Sequence, residues 1–170
     1  MLLNLIALIC LLGAVGLLGA LSACDLKTRL LPNKMVAGFA GLGILFHAAT
    51  KAHFVNIEGV VIGAALGFLT LYVIRAAANH YYEQDALGLG DVKLMGAAGL
   101  WLGPEALMLA MAFGAFAAMI HGLVDGFVTA RRNGTRPDFS NLHVPAGPGF
   151  AVGIILAGLY KFWSFRLTGT

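Results

Sequence analysis

Charged side chains are scarce. Lysine and arginine number 11 and aspartate and glutamate 8, so 11% of the 170 residues carry a charge, against about 25% in ordinary soluble domains. With 59% apolar residues and a mean hydropathy of +0.86, the chain has no room for a separate soluble domain, and residues 1–170 are expected to form one integral-membrane domain. Cysteine is nearly absent as well. Cys10 and Cys24 both fall in the first apolar run, so neither a disulfide framework nor a paired CxxC metal site can be built. There is no HExxH, which argues against a zinc protease. Ser22, Ser140 and Ser164 lack the G-x-S-x-G setting of a serine nucleophile, and no glycine-rich dinucleotide fingerprint is present. No basic cluster is interleaved with aromatics, so the pI near 9.1 reports on membrane orientation and no nucleic-acid partner is expected. No cofactor or metal is expected either.

What remains is membrane. A span needs about 20 apolar residues, and six stretches qualify as candidates: 2–24, 35–49, 57–74, 86–103, 106–128 and 145–165. The expected fold is therefore all-α, a polytopic bundle of about six transmembrane helices. The second stretch is short, and the fourth contains Asp91 and Lys93. Pro32 is expected to stop the helical continuation of the first, because proline disfavours the α conformation in the residue before it. The 23 glycines are spread through the spans, as close helix packing in lipid requires.

Basic residues set the orientation. With the N-terminus outside, the inner loops hold eight (Lys27, Arg29, Lys34, Arg75, Lys93, Arg131, Arg132, Arg136) and the outer side three (Lys51, Lys161, Arg166). This obeys the positive-inside rule and places Asp25 and Asp91 on the same, cytoplasmic, side. Leu21-Ser22-Ala23-Cys24 looks like a lipoprotein cleavage box, but Met1-Leu2-Leu3-Asn4 has no basic side chain of the kind a signal peptide needs.

The two acids carry the functional reading. An ionised aspartate inside a bilayer costs about 2.5–3.5 kcal/mol on insertion scales, which makes it a functional-site hypothesis by default. Two carboxylates held close together share a proton, and their titration belongs to the pair. Such a pair can hydrolyse a peptide bond without a metal. The bland alternatives are an ion pair of Asp25 with Arg29 at i+4 and a helix cap by Asp91 ahead of Val92. Gly88 and Gly90 beside Asp91 lack the side chains that would hold an extended substrate away.

The stretch Asp25-Leu26-Lys27-Thr28-Arg29-Leu30-Leu31-Pro32-Asn33 resembles the first motif of the type IV prepilin peptidases. Ala86-Leu87-Gly88-Leu89-Gly90-Asp91-Val92-Lys93-Leu94 resembles their second, the GxGD motif with its trailing Val-Lys-Leu, and 65 residues separate the two aspartates. The resemblance implies a GxGD aspartyl protease-like bundle covering the chain, with Asp25 and Asp91 as the catalytic pair and Gly88, Gly90, Lys93, Pro32 and Asn33 as motif residues around it. It implies an aspartic endopeptidase in the bacterial cytoplasmic (inner) membrane. Its substrates would be prepilins or pseudopilins, cut at the cytoplasmic face between a basic leader and an apolar helix, and its further partners would be membrane lipid and pilus or secretion assembly machinery. The larger members carry an N-terminal region of paired CxxC motifs associated with N-methylation. The present sequence resembles the short, peptidase-only branch of tight-adherence (Flp-type) pilus systems, without methyltransferase activity.

The remaining polar residues carry weaker expectations. Glu83 and Asp85, just before the motif, would attract a basic leader. His121 and Asp125, at i and i+4, are expected to form a structural hydrogen bond inside the bundle, with no third ligand for a metal. His47, His53, His80 and His143 are expected near loops and solvated. Pro145-Ala146-Gly147-Pro148-Gly149 reads as a helix start with no catalytic part. The rival from another class is a small proton-coupled transporter or assembly factor in which the same acids relay protons.

Overall fold

The computed structural model describes residues 2–83, 87–133 and 146–163, and among these every regular element is α-helical. The helices are α1 (Leu2–Thr28), α2 (Asn33–Ala49), α3 (Ile57–Tyr82), α4 (Leu89–Asn133) and α5 (Ala146–Phe162). By length and composition three are fit to cross a membrane, namely α1, α3 over Ile57–Tyr81 and α4 over Leu89–Arg132, while α2 and α5 have 17 residues each. Large apolar side chains such as Leu12, Ile44, Val61, Met108 and Phe116 are more than half exposed, a surface suited to lipid rather than water.

The six expected stretches appear as five helices. The fourth and fifth are merged in α4, which is broken at Gly103, where φ is 71° and ψ 175°. Pro104 follows; it donates no backbone hydrogen bond and pushes its predecessor out of the α region. Only glycine adopts that φ at little cost. The break leaves no loop, so α4 has two arms, 89–102 and 104–133. Val55 packs against Gly103 from the α2–α3 connection.

Packing follows from where side chains are missing. Gly63 and Gly67 of α3 lie against the backbone of Gly99 and Met95 in the first arm of α4, where a Cβ on either glycine would run into main chain. Gly153 of α5 meets Ala110 and Gly114 of the second arm in the same way. Such small-residue seams let backbones approach where lipid supplies no hydrophobic drive between helices. Among the helices α3 packs on α4 alone, whereas α1 packs on α2 and α5. An aromatic cluster ties α2 to α4 and α5. Trp101 Nε1 donates to the Phe39 carbonyl over 2.8 Å, and Phe39, Phe46 and Phe162 surround its ring. His47 belongs to this cluster and is buried; its Nε2 lies 3.1 Å from the Leu100 carbonyl, so the expectation that it is solvated does not hold. His53 and His80 are exposed as expected, and His143 lies outside the described residues.

Candidate active site

The buried residues of α1 are Ala7, Cys10, Ala14, Leu18, Leu21 and Asp25. They recur every three or four positions and so form one stripe facing the bundle. Its last member is the acid. Asp25 is 5% exposed, inside a helix that runs four residues past the expected end at Cys24. The ion pair with Arg29 is not what holds it. Arg29 is exposed, lies beyond the last helical residue and has a φ of 53°. Instead Asp25 Oδ2 accepts the backbone N–H of Gly147, in the first turn of α5, over 3.0 Å. A hydrogen bond to a charged group contributes about 1.5–3 kcal/mol, which offsets much of the cost of burying the carboxylate.

Asp91 lies in the first turn of α4 and is 8% exposed. Gly88 opens that helix by accepting the Asp91 N–H over 3.2 Å. Asp91 Oδ1 is buried and has no hydrogen-bond partner. A buried carboxylate oxygen without a protein donor is costly in a folded chain. The Asp25 and Asp91 carboxylates are close enough for the charge of one to act on the other. Yet the backbones of α1 and α4 nowhere pack together directly; α2 and α5 join them.

The glycines of the motif make room for the chain itself. A Cβ at Gly88 would sit 3.0 Å from Asp91 Oδ2, and one at Gly90 would sit 2.7 Å from Leu31 Cβ. Gly90 thus lets the end of the first motif lie against the second. Pro32 precedes α2, accepting the amides of Met35 and Val36 through its carbonyl. Asn33 Oδ1 accepts from Lys93 Nζ over 3.0 Å, a second bridge between the motifs. On the other flank Arg75 Nη1 donates to the Leu87 carbonyl over 2.7 Å, fixing the approach to Gly88.

A model of the type IV leader peptidase family matches residues 6–123, a stretch that contains both acids. The chain belongs to this family. Its relatives include a prepilin leader peptidase/N-methyltransferase of Pectobacterium carotovorum, 34% identical over 78% of this chain and 44% of the relative. The enzyme of the same description from Dickeya chrysanthemi is 43% identical over 57% of this chain and 35% of the relative. That of Escherichia coli K12 is 27% identical over 84% and 59%. The chain thus spans between about a third and three fifths of the length of these leader peptidases. No solved structure matches it.

The remaining expected residues are exposed or lie outside the described residues. Glu83 is exposed and ends α3 with a φ of 54°; Asp85 lies outside the described residues. His121 and Asp125 are both exposed on α4, so the expected hydrogen bond inside the bundle is replaced by two outward-facing side chains. No cluster that could hold a metal occurs among the described residues. A cavity of about 340 Å³ between α1, α4 and α5, lined by Leu18, Leu102 and Ile154 among others, contains neither acid. Gly147 and Arg75 escaped sequence reasoning as contacts of the site. For Gly147 a signal existed: an acid on an apolar stripe needs a donor, and a Pro- and Gly-rich helix start is a place where free amides occur.

Proposed function

We propose that this protein is a membrane aspartic endopeptidase that removes the basic leader from type IV prepilins or pseudopilins at the cytoplasmic face of the inner membrane. The observation that carries the reading is the buried carboxylate pair, Asp25 and Asp91, each on a different motif and each 5–8% exposed. In the reaction one carboxylate takes a proton from a water lying between them. The water oxygen attacks the scissile carbonyl carbon while the protonated partner donates a hydrogen bond to the carbonyl oxygen. The tetrahedral intermediate then collapses, the C–N bond breaks and the proton passes to the leaving amine. Glu83 and Asp85 would draw the basic leader toward the pair.

The count of basic residues supports an N-terminus outside, and the six apolar stretches support about six crossings, the two within α4 being divided at Gly103. Within these 170 residues Cys10 and Cys24 both belong to α1, so the cysteine-paired element associated with methylation has no counterpart among them. The resemblance to the peptidase-only branch supports cleavage without N-methylation.

The test is cleavage by the purified protein in detergent of a peptide with a basic leader joined to an apolar segment. The expected result is a single cut before the apolar segment and a free amine on the product. Proton flux in vesicles without any cleavage would support the transporter reading instead.

A further inference from the structure

The seating of Asp25 depends on a residue 122 positions away and outside the stretch matched by the family model. Gly147 is the second residue of α5, so its amide has no acceptor within its own helix. Pro148 contributes no N–H at all, which leaves few donors at that helix end. The Gly147 N–H points at Asp25 Oδ2. The missing side chain matters as much as the amide: a Cβ at Gly147 would lie 2.6 Å from Asp25 Oδ2, 2.9 Å from its Cγ and 3.0 Å from its Cβ. Any larger residue at 147 must therefore displace the carboxylate. Asp91 has no comparable anchor on its buried Oδ1. Because α1 and α4 do not pack directly, α5 has a hand in setting where Asp25 stands relative to Asp91.

We propose that Gly147 is a positioning residue of the carboxylate pair: its amide holds Asp25 in place, and its lack of a Cβ allows the close approach of α5 that this requires. The proposal rests on the peptidase reading for its effect on turnover, but not for its effect on Asp25 itself. Gly149, two residues on, is the structural comparison. A Cβ there would meet Ala118 Cβ and the Gly114 carbonyl of α4, each at 2.8 Å, so it disturbs helix packing without touching Asp25.

The experiment compares Gly147→Ala and Gly149→Ala in the full chain. It reads kcat and KM on a prepilin-type peptide, the thermal unfolding midpoint, and labelling of Asp25 by a hydrophobic carbodiimide, mapped by mass spectrometry. For Gly147→Ala, kcat should fall about a hundredfold, as a displacement of roughly 1 Å in a reacting group does, with KM little changed and Asp25 labelled faster. Gly149→Ala should lower the unfolding midpoint and leave Asp25 labelling as it was. Should Gly147→Ala accumulate poorly, adding Asp25→Ala should restore accumulation, because the obstructing carboxylate is gone; an equal defect in that background overturns the proposal. Unchanged labelling of Asp25 in Gly147→Ala, or the same rise in Gly149→Ala, overturns it too. A wild-type chain that cuts no prepilin peptide while the labelling difference persists refutes the peptidase reading and leaves the hold of Gly147 on Asp25 intact.

Discussion

Lys93 Nζ donates a hydrogen bond to Asn33 Oδ1 over 3.0 Å, across 60 residues of sequence. One end of this bridge is two residues from Asp91 and the other lies at the start of α2, which follows the helix bearing Asp25. It joins the two motifs at their far ends, while Gly147 holds the first motif from α5.

If the bridge serves the pair, Lys93→Met and Asn33→Ala remove the same interaction. Each should slow cleavage by about tenfold, the equivalent of a hydrogen bond worth 1–2 kcal/mol, and the double variant should be no slower than either single one. Additive losses in a double-mutant cycle would show that the two side chains act separately.

The acids themselves should behave as a unit. Asn keeps the shape of Asp but cannot take a proton from water, so Asp25→Asn and Asp91→Asn should each abolish detectable cleavage in protein that still inserts. The double variant should add nothing. Asp125→Asn, exposed on α4, should cleave normally. Loss of cleavage in Asp125→Asn with retention in Asp25→Asn would move the second acid to the second arm of α4.

Glycines in this bundle are not equivalent. Gly99→Ala drives a Cβ into the backbone of Gly63 and Ala64 and should destabilise by about 1–3 kcal/mol, as overpacking does. Gly16 lies within α1 with nothing within 4 Å of its would-be Cβ, so Gly16→Ala should stabilise by up to about 1 kcal/mol through helix propensity. Thermal unfolding in one detergent would rank the two; a Gly99→Ala midpoint at or above wild type would remove the seam as a constraint.

Recruitment of a basic leader by charge has a salt signature. Glu83→Gln with Asp85→Asn should raise KM more at low ionic strength than at high, since the field reaches only about 8 Å at physiological salt. A KM change that ignores salt would mean that the two acids do not steer.

Orientation can be read directly. A reporter inserted in 134–144 should score cytoplasmic and one after Thr170 external. A cytoplasmic score at Thr170 would remove a crossing and separate the faces on which the acids are proposed to meet.

Periodicity made much of this legible. The acid-bearing stripe of α1 repeats at helical spacing, and both motifs show their aspartates and glycines in the chain itself. Gly103-Pro104 reads as a boundary between two spans, and the structure breaks α4 there at a single residue with positive φ; what composition could not tell was that the boundary is a break with no loop. Burial of isolated polar residues was likewise hidden. His47 sits two residues from the end of α2 but among aromatic rings that only tertiary packing assembles, whereas His121 and Asp125 share a helix face that turns outward. The role of Gly147 was illegible for a different reason, because a backbone amide leaves no mark in side-chain chemistry and its partner is 122 residues away.

That separation also has a bearing on biogenesis. Asp25 belongs to the first described helix and Gly147 to the last. At about 5–20 residues per second of synthesis, the carboxylate waits roughly 6 to 24 s before its backbone donor exists. A nascent or truncated chain ending before α5 holds both acids but lacks the amide that seats the first. On the proposed peptidase reading, hydrolytic competence would therefore arrive only with the docking of α5.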